Sequence, residues 1–388
     1  MEVPLDRHRI LMFKNKIYNH LAVEIFKNFI TILLTFTAIA WTVRAVNFLD
    51  LMIEDGYSAN IYFRYSLLNI FTIATRFVPL SFLLSMMISI AKFERQQEFL
   101  ILWTVGLNKI KIVNIFFLIG FLVSLFQIIL SLIINPYTLN KSRSLLRDTN
   151  TKQVNSIIKS NDFSDSFKGV TFYIDEKNSK KELINIFIKD SRGSINTVIG
   201  NTDDNMNTSI FAKKGMIVQN KLILFDGIIQ TLNDNKKIKN INFEKTELSL
   251  SNFSTRTITQ PKIQEISSYE LFKCLNIENS QECVFKNNKK ILIETLSRRA
   301  GMPLYIPLIS IITSFLLIYK KEGKNNHTKK YIIFIFSFIV LILAEILLRY
   351  TGFSITNFTL YIFTPLILLI ILYTVLIKKM TSKRFENE

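Results

Sequence analysis

Six charged residues stand inside or beside long apolar stretches of this chain: Arg44, Arg76, Arg298, Arg299, Glu345 and Arg349. Charge in a hydrocarbon environment is costly, and such residues usually face a protein interior or a water-filled cavity. Arginine suits phosphate in particular, because its planar fork donates two parallel hydrogen bonds. One reading is therefore an arginine-lined cavity that holds an anionic amphiphile. The other is that residues near the ends of the stretches snorkel to the interface. In that reading Glu345 and Arg349, spaced i, i+4, pair on one helix face. Pattern alone leaves both open.

A second constellation is the short amphipathic connection Lys92-Phe-Glu-Arg-Gln-Gln-Glu-Phe-Leu-Ile-Leu-Trp-Thr-Val-Gly-Leu-Asn-Lys109. Its apolar Phe99, Leu100, Leu102 and Trp103 lie beside Glu94, Arg95 and Glu98. Gly106, followed by Leu107, permits a helix stop before the next apolar stretch. Anchors at this spacing suit a helix laid into the groove of a soluble partner, and a helix resting on lipid headgroups is the alternative.

Catalytic patterns are missing. There is no Walker A sequence, H-E-x-x-H, G-x-S-x-G or C-x-x-C. His8, His20 and His327 are far apart, which argues against a metal site. The chain is not expected to be an enzyme or to bind a cofactor of its own. Cys274 and Cys283 are the only cysteines. In an oxidising compartment a disulfide between them would close a short loop, and two reduced or buried thiols are the alternative.

The elements that must position these residues are mostly membrane spans. Apolar runs cover roughly 29–49, 65–91 and 112–134, then 303–319, 331–348 and 358–377. A helix needs about 20 apolar residues to cross a hydrocarbon core, so six spans are predicted, three on each side of a polar block. The formal charge of +18 does not indicate nucleic acid, because it sits in loops rather than on one folded face. Lys and Arg cluster before the first run, between the second and third, between the fourth and fifth, and after the sixth. By the positive-inside rule both termini are cytoplasmic, and the polar block lies outside, periplasmic in a Gram-negative cell. The basic start is too long, and the first run lacks a small-residue cleavage pattern, so that run is expected to be an uncleaved insertion signal.

The expected organisation is a cytoplasmic amphipathic lead-in helix at 1–27 and three spans at 28–135, with the connecting helix near 92–108. A periplasmic all-β, jellyroll-like domain at 136–275 follows, then a return segment with three spans at 276–380 and a tail at 381–388. Within the polar block, 170–174, 183–188, 208–211, 216–218, 222–229 and 238–250 read as strands from their period of two and the turn residues between them.

At these residues the chain resembles the LptF/LptG permease family of the lipopolysaccharide exporter. Three patches carry the likeness: Trp41-Thr-Val-Arg-Ala-Val-Asn-Phe-Leu-Asp-Leu-Met-Ile-Glu-Asp-Gly56, the Glu98…Gly106-Leu107 loop, and Glu294-Thr-Leu-Ser-Arg298-Arg-Ala-Gly-Met-Pro303. The first patch is closer to LptF than to LptG. The resemblance implies one half of an ABC transporter in the bacterial inner membrane. It implies a heterodimer with an LptG-like permease and a cytoplasmic LptB-like ATPase dimer that binds the ATP and Mg. It also implies an LptC-like anchored β-jellyroll protein and a periplasmic LptA-like bridge. Lipopolysaccharide would enter the cavity between the permeases. Glu98 and its apolar neighbours would dock on the ATPase, and Arg44 and Arg349 match basic positions of the family, the former meeting lipid A phosphates. Arg76 has no family counterpart. Two other readings compete: an ABC-linked protein that works by mechanotransmission, and a membrane scaffold with a periplasmic β-domain. The first commonly places its outer domain between spans one and two, whereas here it follows span three.

Overall fold

In the computed structural model the described residues are 7–53, 57–150, 161–167, 169–177, 182–191, 207–218, 221–232, 238–249, 262–276, 289–318 and 326–385. They form two units, one comprising Met1–Val43, Asn69–Leu139 and Lys262–Glu388, the other Arg44–Leu68 and Asn140–Pro261.

Among the described residues six helical stretches are long and apolar enough to cross a membrane: Lys16–Ile53, Ala59–Arg95, Lys109–Leu146, Lys289–Ile318, Thr328–Phe353 and Ile355–Thr381. The first is carried by α1 (Arg7–Asn47) and α2 (Asp50–Ile53), so the lead-in and span one are one rod, as a helical period continuing across the boundary requires. The second consists of α3 (Ala59–Leu68) and α4 (Ile70–Arg95), the latter holding Pro79 in its interior. A short α5 (Glu98–Thr104) leads to α6 (Lys109–Ile129), a π-helical turn at Leu130–Ile134, and α7 (Asn135–Asn150). Helix thus continues well past residue 135, where apolarity gives way to polar sequence.

The first unit packs in the way lipid demands. Lipid tails are as apolar as leucine, so close approach of small residues and interhelical hydrogen bonds hold spans together. Ser81, Ser85 and Ser89 recur every four residues on α4 and are fully buried. Ser85 Oγ donates to the Ile25 carbonyl at 2.8 Å, and Asn28 Nδ2 donates to Ser89 Oγ at 2.8 Å. Gly120 of α6 abuts Ser310, where a Cβ would sit 2.9 Å from the serine Cβ. Four residues on, Ser124 Oγ donates to the Pro303 carbonyl at 2.9 Å.

After the polar block, α8 (Ser268–Asn276) and α9 (Lys289–Leu296) precede a second π-helical turn, Ser297–Gly301. The 3-10 turn Met302–Leu304, then α10 (Tyr305–Ser314), which is buried at every residue, and the 3-10 turn Phe315–Ile318 complete span four. α11 (Asn326–Tyr350) and α12 (Ile355–Phe385, with Pro365) form the last two spans. Ile263, Leu271 and Leu292 make a small separate core that seats α8 against α9.

The second unit contains a six-stranded antiparallel sheet in chain order. Its strands are β1 (Asp162–Phe167), β2 (Val170–Lys177), β3 (Glu182–Asp190), β4 (Asn207–Val218), β5 (Lys221–Leu232) and β6 (Ile238–Ser249). Two stretches predicted as separate strands, 208–211 and 216–218, are the ends of β4. The reason is a crease across the sheet. Asp175, Asn185, Lys213, Asp226 and Glu244 occupy one row, and that row drops out of the pairing at each interface from β2 to β6. Asn185 and Asp226 have φ of 51° and 50°, the left-handed region that Asn and Asp tolerate best. The register is the same on both sides of the row, so the strands turn there together, and the side chains that face inward switch. Buried positions therefore run Leu183 then Ile186 on β3, and Leu224 then Ile229 on β5. The apolar face of Phe172, Ile174, Ile188, Ile210, Leu222 and Leu248 forms the core of this unit.

Candidate functional site

Within the first unit a cavity of about 610 Å³ opens between spans two to five. Arg76 comes from α4, Arg298 and Arg299 from the second π turn, Arg349 from α11, and the acidic Glu294 and Glu345 from α9 and α11. Four arginines against two glutamates leave the lining formally positive by two. The apolar part is supplied by Leu80, Met302, Phe338 and Ile342, among others.

Both π turns lie on this cavity. Such turns carry one extra residue in a helix and recur at functional sites. Here they are tied to each other, with Ser131 Oγ donating to the Arg299 carbonyl at 2.6 Å. The turn after α6 aims Asn135 at α4, where its Nδ2 donates to Thr75 Oγ1 at 3.0 Å, and Gln127 Nε2 donates to the Thr75 carbonyl at 3.3 Å. The acceptors Gln127 Oε1 and Asn135 Oδ1 and the hydroxyl of Thr72 are buried without a hydrogen-bond partner. All three residues line the cavity, so its α4–α6 wall is polar inside an apolar span. Sequence reasoning passed over these residues; the signal was a Gln and an Asn within and at the end of the third apolar run.

The arginines differ in what they do. Arg298 Nη1 donates to Glu345 Oε1 at 2.7 Å, and its Nη2 lies 3.8 Å from Glu294 Oε1. The expected Glu345–Arg349 pair is replaced by this one, since the i, i+4 carboxylate reaches across to another span. Arg349 is exposed on the cavity. Arg299 is 6 % exposed. Its Nη1 donates to the Ile266 carbonyl at 3.0 Å and to Ser268 Oγ at 2.7 Å, and its Nη2 to the Gln264 carbonyl at 2.9 Å. That guanidinium latches the segment before α8 rather than standing open to a ligand. Arg44 lies exposed in the last turn of α1, in the second unit, and is not among the cavity residues.

At the other end of α4, the connection expected as a helix near 92–108 holds a helix only at Glu98–Thr104, its first residues still belonging to α4. α5 is bracketed by two left-handed residues, Gln97 (φ 59°) before it and Gly106 (φ 80°) after it. Phe99 and Leu102 are buried in the bundle core, and Trp103 stacks on Phe99 with ring centroids 5.9 Å apart. Leu100 and Ile101 are each 58 % exposed and Val105 71 % exposed, an apolar ridge on the outer face. Leu107 packs against the core from the other side of the glycine. Acidic neighbours tie the region to other spans. Glu98 meets His20 Nε2 at 3.3 Å, Glu94 meets Lys330 Nζ at 2.7 Å, and Glu24 pairs with Lys92.

Cys274, on α8, is disulfide-bonded; Cys283 lies outside the described residues. No group of His, Cys, Asp or Glu among the described residues could hold a metal ion.

Comparison with known proteins agrees with this layout. The family model described as lipopolysaccharide export system permease LptF/LptG matches residues 19–379. No curated protein matches the chain. The match takes in all six spans, the sheet, the cavity and α5, and the chain belongs to the LptF/LptG family of lipopolysaccharide export permeases.

Proposed function

We propose that this chain is the permease subunit that extracts lipopolysaccharide from the inner membrane and passes it to a periplasmic β-jellyroll bridge toward the outer membrane. The observation that carries the reading is the arginine-lined cavity with an apolar flank. A phosphorylated headgroup would meet Arg298 and Arg349, with Arg76 on the facing wall, while Phe338 and Ile342 would take the start of an acyl chain. A volume of about 610 Å³ suits a drug-sized portion of a ligand. The remainder of a multi-chain lipid needs a second wall, which supports pairing with an LptG-like partner. The patch Trp41–Gly56 supports the LptF side of that pair, and Arg44 within it would meet phosphate where the lipid leaves span one.

Energy must come from a partner, because the chain carries no nucleotide-binding motif. The exposed ridge of Leu100, Ile101 and Val105, with Glu94 and Glu98 beside it, is the dock for an LptB-like ATPase dimer that holds ATP and Mg. Both termini and α5 are then cytoplasmic, and the sheet is periplasmic, placed to meet LptC-like and LptA-like proteins. Displacement of α5 passes into α1 through Glu98–His20, and through the adjoining end of α4, where Glu94 pairs with Lys330, into α11. A lipid moves only if the two states of the cavity bind it differently, and shifting spans one and five would supply that difference.

The test is lipopolysaccharide transfer in proteoliposomes containing the chain with its co-purifying ATPase. Replacing Arg298 and Arg349 together by Gln should abolish transfer while ATP hydrolysis persists, and Leu100→Asp should lose the ATPase itself. Undiminished transfer by the arginine variant contradicts the reading.

A further inference from the structure

The Arg298 fork is already taken by carboxylates of the chain. Glu345 Oε1 lies 2.7 Å from Nη1, and Glu294 Oε1 lies 3.8 Å from Nη2. The two acids arrive from different elements, Glu294 one turn earlier on α9 and Glu345 from α11. All three side chains line the cavity, and those of Arg298 and Glu345 keep 40 % and 41 % of their surface. An occupant can therefore reach the pair. A carboxylate and a phosphate present the same kind of acceptor oxygens to a guanidinium, so a phosphate entering this cavity competes with Glu345 for one donor group. Arg349, one turn past Glu345 on the same helix, has no ion-pair partner among the described residues.

We propose that Glu345 is an internal competitor for the lipid anion. It holds Arg298 when the cavity is unliganded, gives way to a headgroup phosphate on entry, and returns as the lipid departs. The exchange keeps Arg298 partnered in both states. It also lowers net affinity, which a transporter needs if its cargo is to leave. A residue that merely contacts the ligand weakens binding when removed; a competitor strengthens it. The inference rests on the cavity reading above and assigns Glu345 the opposite sign from its arginine neighbours.

The experiment measures binding of fluorescent lipid A to the full-length chain with its co-purifying partners in nanodiscs. Glu345→Gln keeps shape and hydrogen-bonding capacity but removes the charge. A half-exposed ion pair is worth little, so the expected tightening is roughly two- to fivefold, with slower lipid release. Glu345→Asp, whose shorter side chain retreats from Arg298, should tighten binding less, and it serves if the Gln variant folds poorly. Arg298→Gln should weaken binding, and adding Glu345→Gln to it should give no tightening. Weaker or unchanged binding by Glu345→Gln, with Arg298→Gln still weakening it, overturns the competitor role and leaves the cavity standing. If Arg298→Gln also leaves binding unchanged, the cavity assignment falls, and the competitor with it.

Discussion

Arg299 offers the sharpest separation between holding the fold and holding the lipid. Its guanidinium is buried and makes three hydrogen bonds, to the carbonyls of Gln264 and Ile266 and to Ser268 Oγ, which itself donates to the Leu132 carbonyl at 2.8 Å. Hydrogen bonds to a charged group contribute about 1.5–3 kcal/mol each, while burying the cation costs several kcal/mol. Arg299→Met removes both terms and strands two carbonyls beside the cavity, for a net loss of about 3 kcal/mol. If residues 262–276 open as a unit, their amide exchange should rise roughly a hundredfold. Arg299→Lys recovers only part of this, because a single ammonium nitrogen cannot occupy the places of both Nη1 and Nη2, between which the three acceptors are divided. Hydrogen exchange followed by mass spectrometry reads the segment directly, with the apparent melting temperature in detergent alongside. Unchanged protection of residues 262–276 together with lost lipid binding would refute the latch and make Arg299 a ligand contact.

Three other perturbations test separate parts of the structure. Gly120→Ala pushes a methyl group into fully buried Ser310 and should destabilise the bundle by about 1–3 kcal/mol, seen as a lower apparent melting temperature. On α5, Leu100→Asp should leave stability intact but prevent co-purification of the proposed ATPase partner, whereas Phe99→Ala, at a buried site, should cost about 3–5 kcal/mol. On the sheet, hydrogen bonds from Lys221 and Lys245 hold the Glu247 carboxyl below its usual value of 4.5. A carboxyl depressed on folding stabilises above its unfolded value, and that contribution fades as pH falls through the folded one. Glu247→Gln should therefore flatten the acid limb of thermal stability slightly, the effect being small at so exposed a site.

The spans were legible because their demand is one of composition: lipid requires about 20 apolar residues, and each run announces itself. The end of α5 was legible from Gly106, but its faces were not: Phe99, Leu102 and Trp103, expected as anchors for a partner, pack into the bundle core and leave Leu100, Ile101 and Val105 outside. The sheet was harder. β1 (Asp162–Phe167) is polar enough to pass for loop, and the crease through Asn185, Lys213 and Asp226 breaks the period of two within strands. A row left unpaired across five strands is a property of neighbouring strands together, which no single stretch of sequence displays. The charged residues split the same way. Burden in lipid picked out six residues, of which Arg76, Arg298, Arg299, Glu345 and Arg349 line the cavity and Arg44 does not. Partnership was not readable, because Glu345 reaches Arg298 across 47 positions and Arg299 reaches back 31 to Ser268.

The most direct test of the central claim is a photocrosslinking amino acid at position 342 in living cells, with position 343 as its control. Ile342 lines the cavity, whereas Leu343, next to it on α11, is half exposed and is not among the lining residues. The account predicts a lipopolysaccharide adduct at 342 that vanishes when Arg298 and Arg349 are both Gln, with little or none at 343. Equal labelling at the two positions, or labelling indifferent to the arginines, would contradict it.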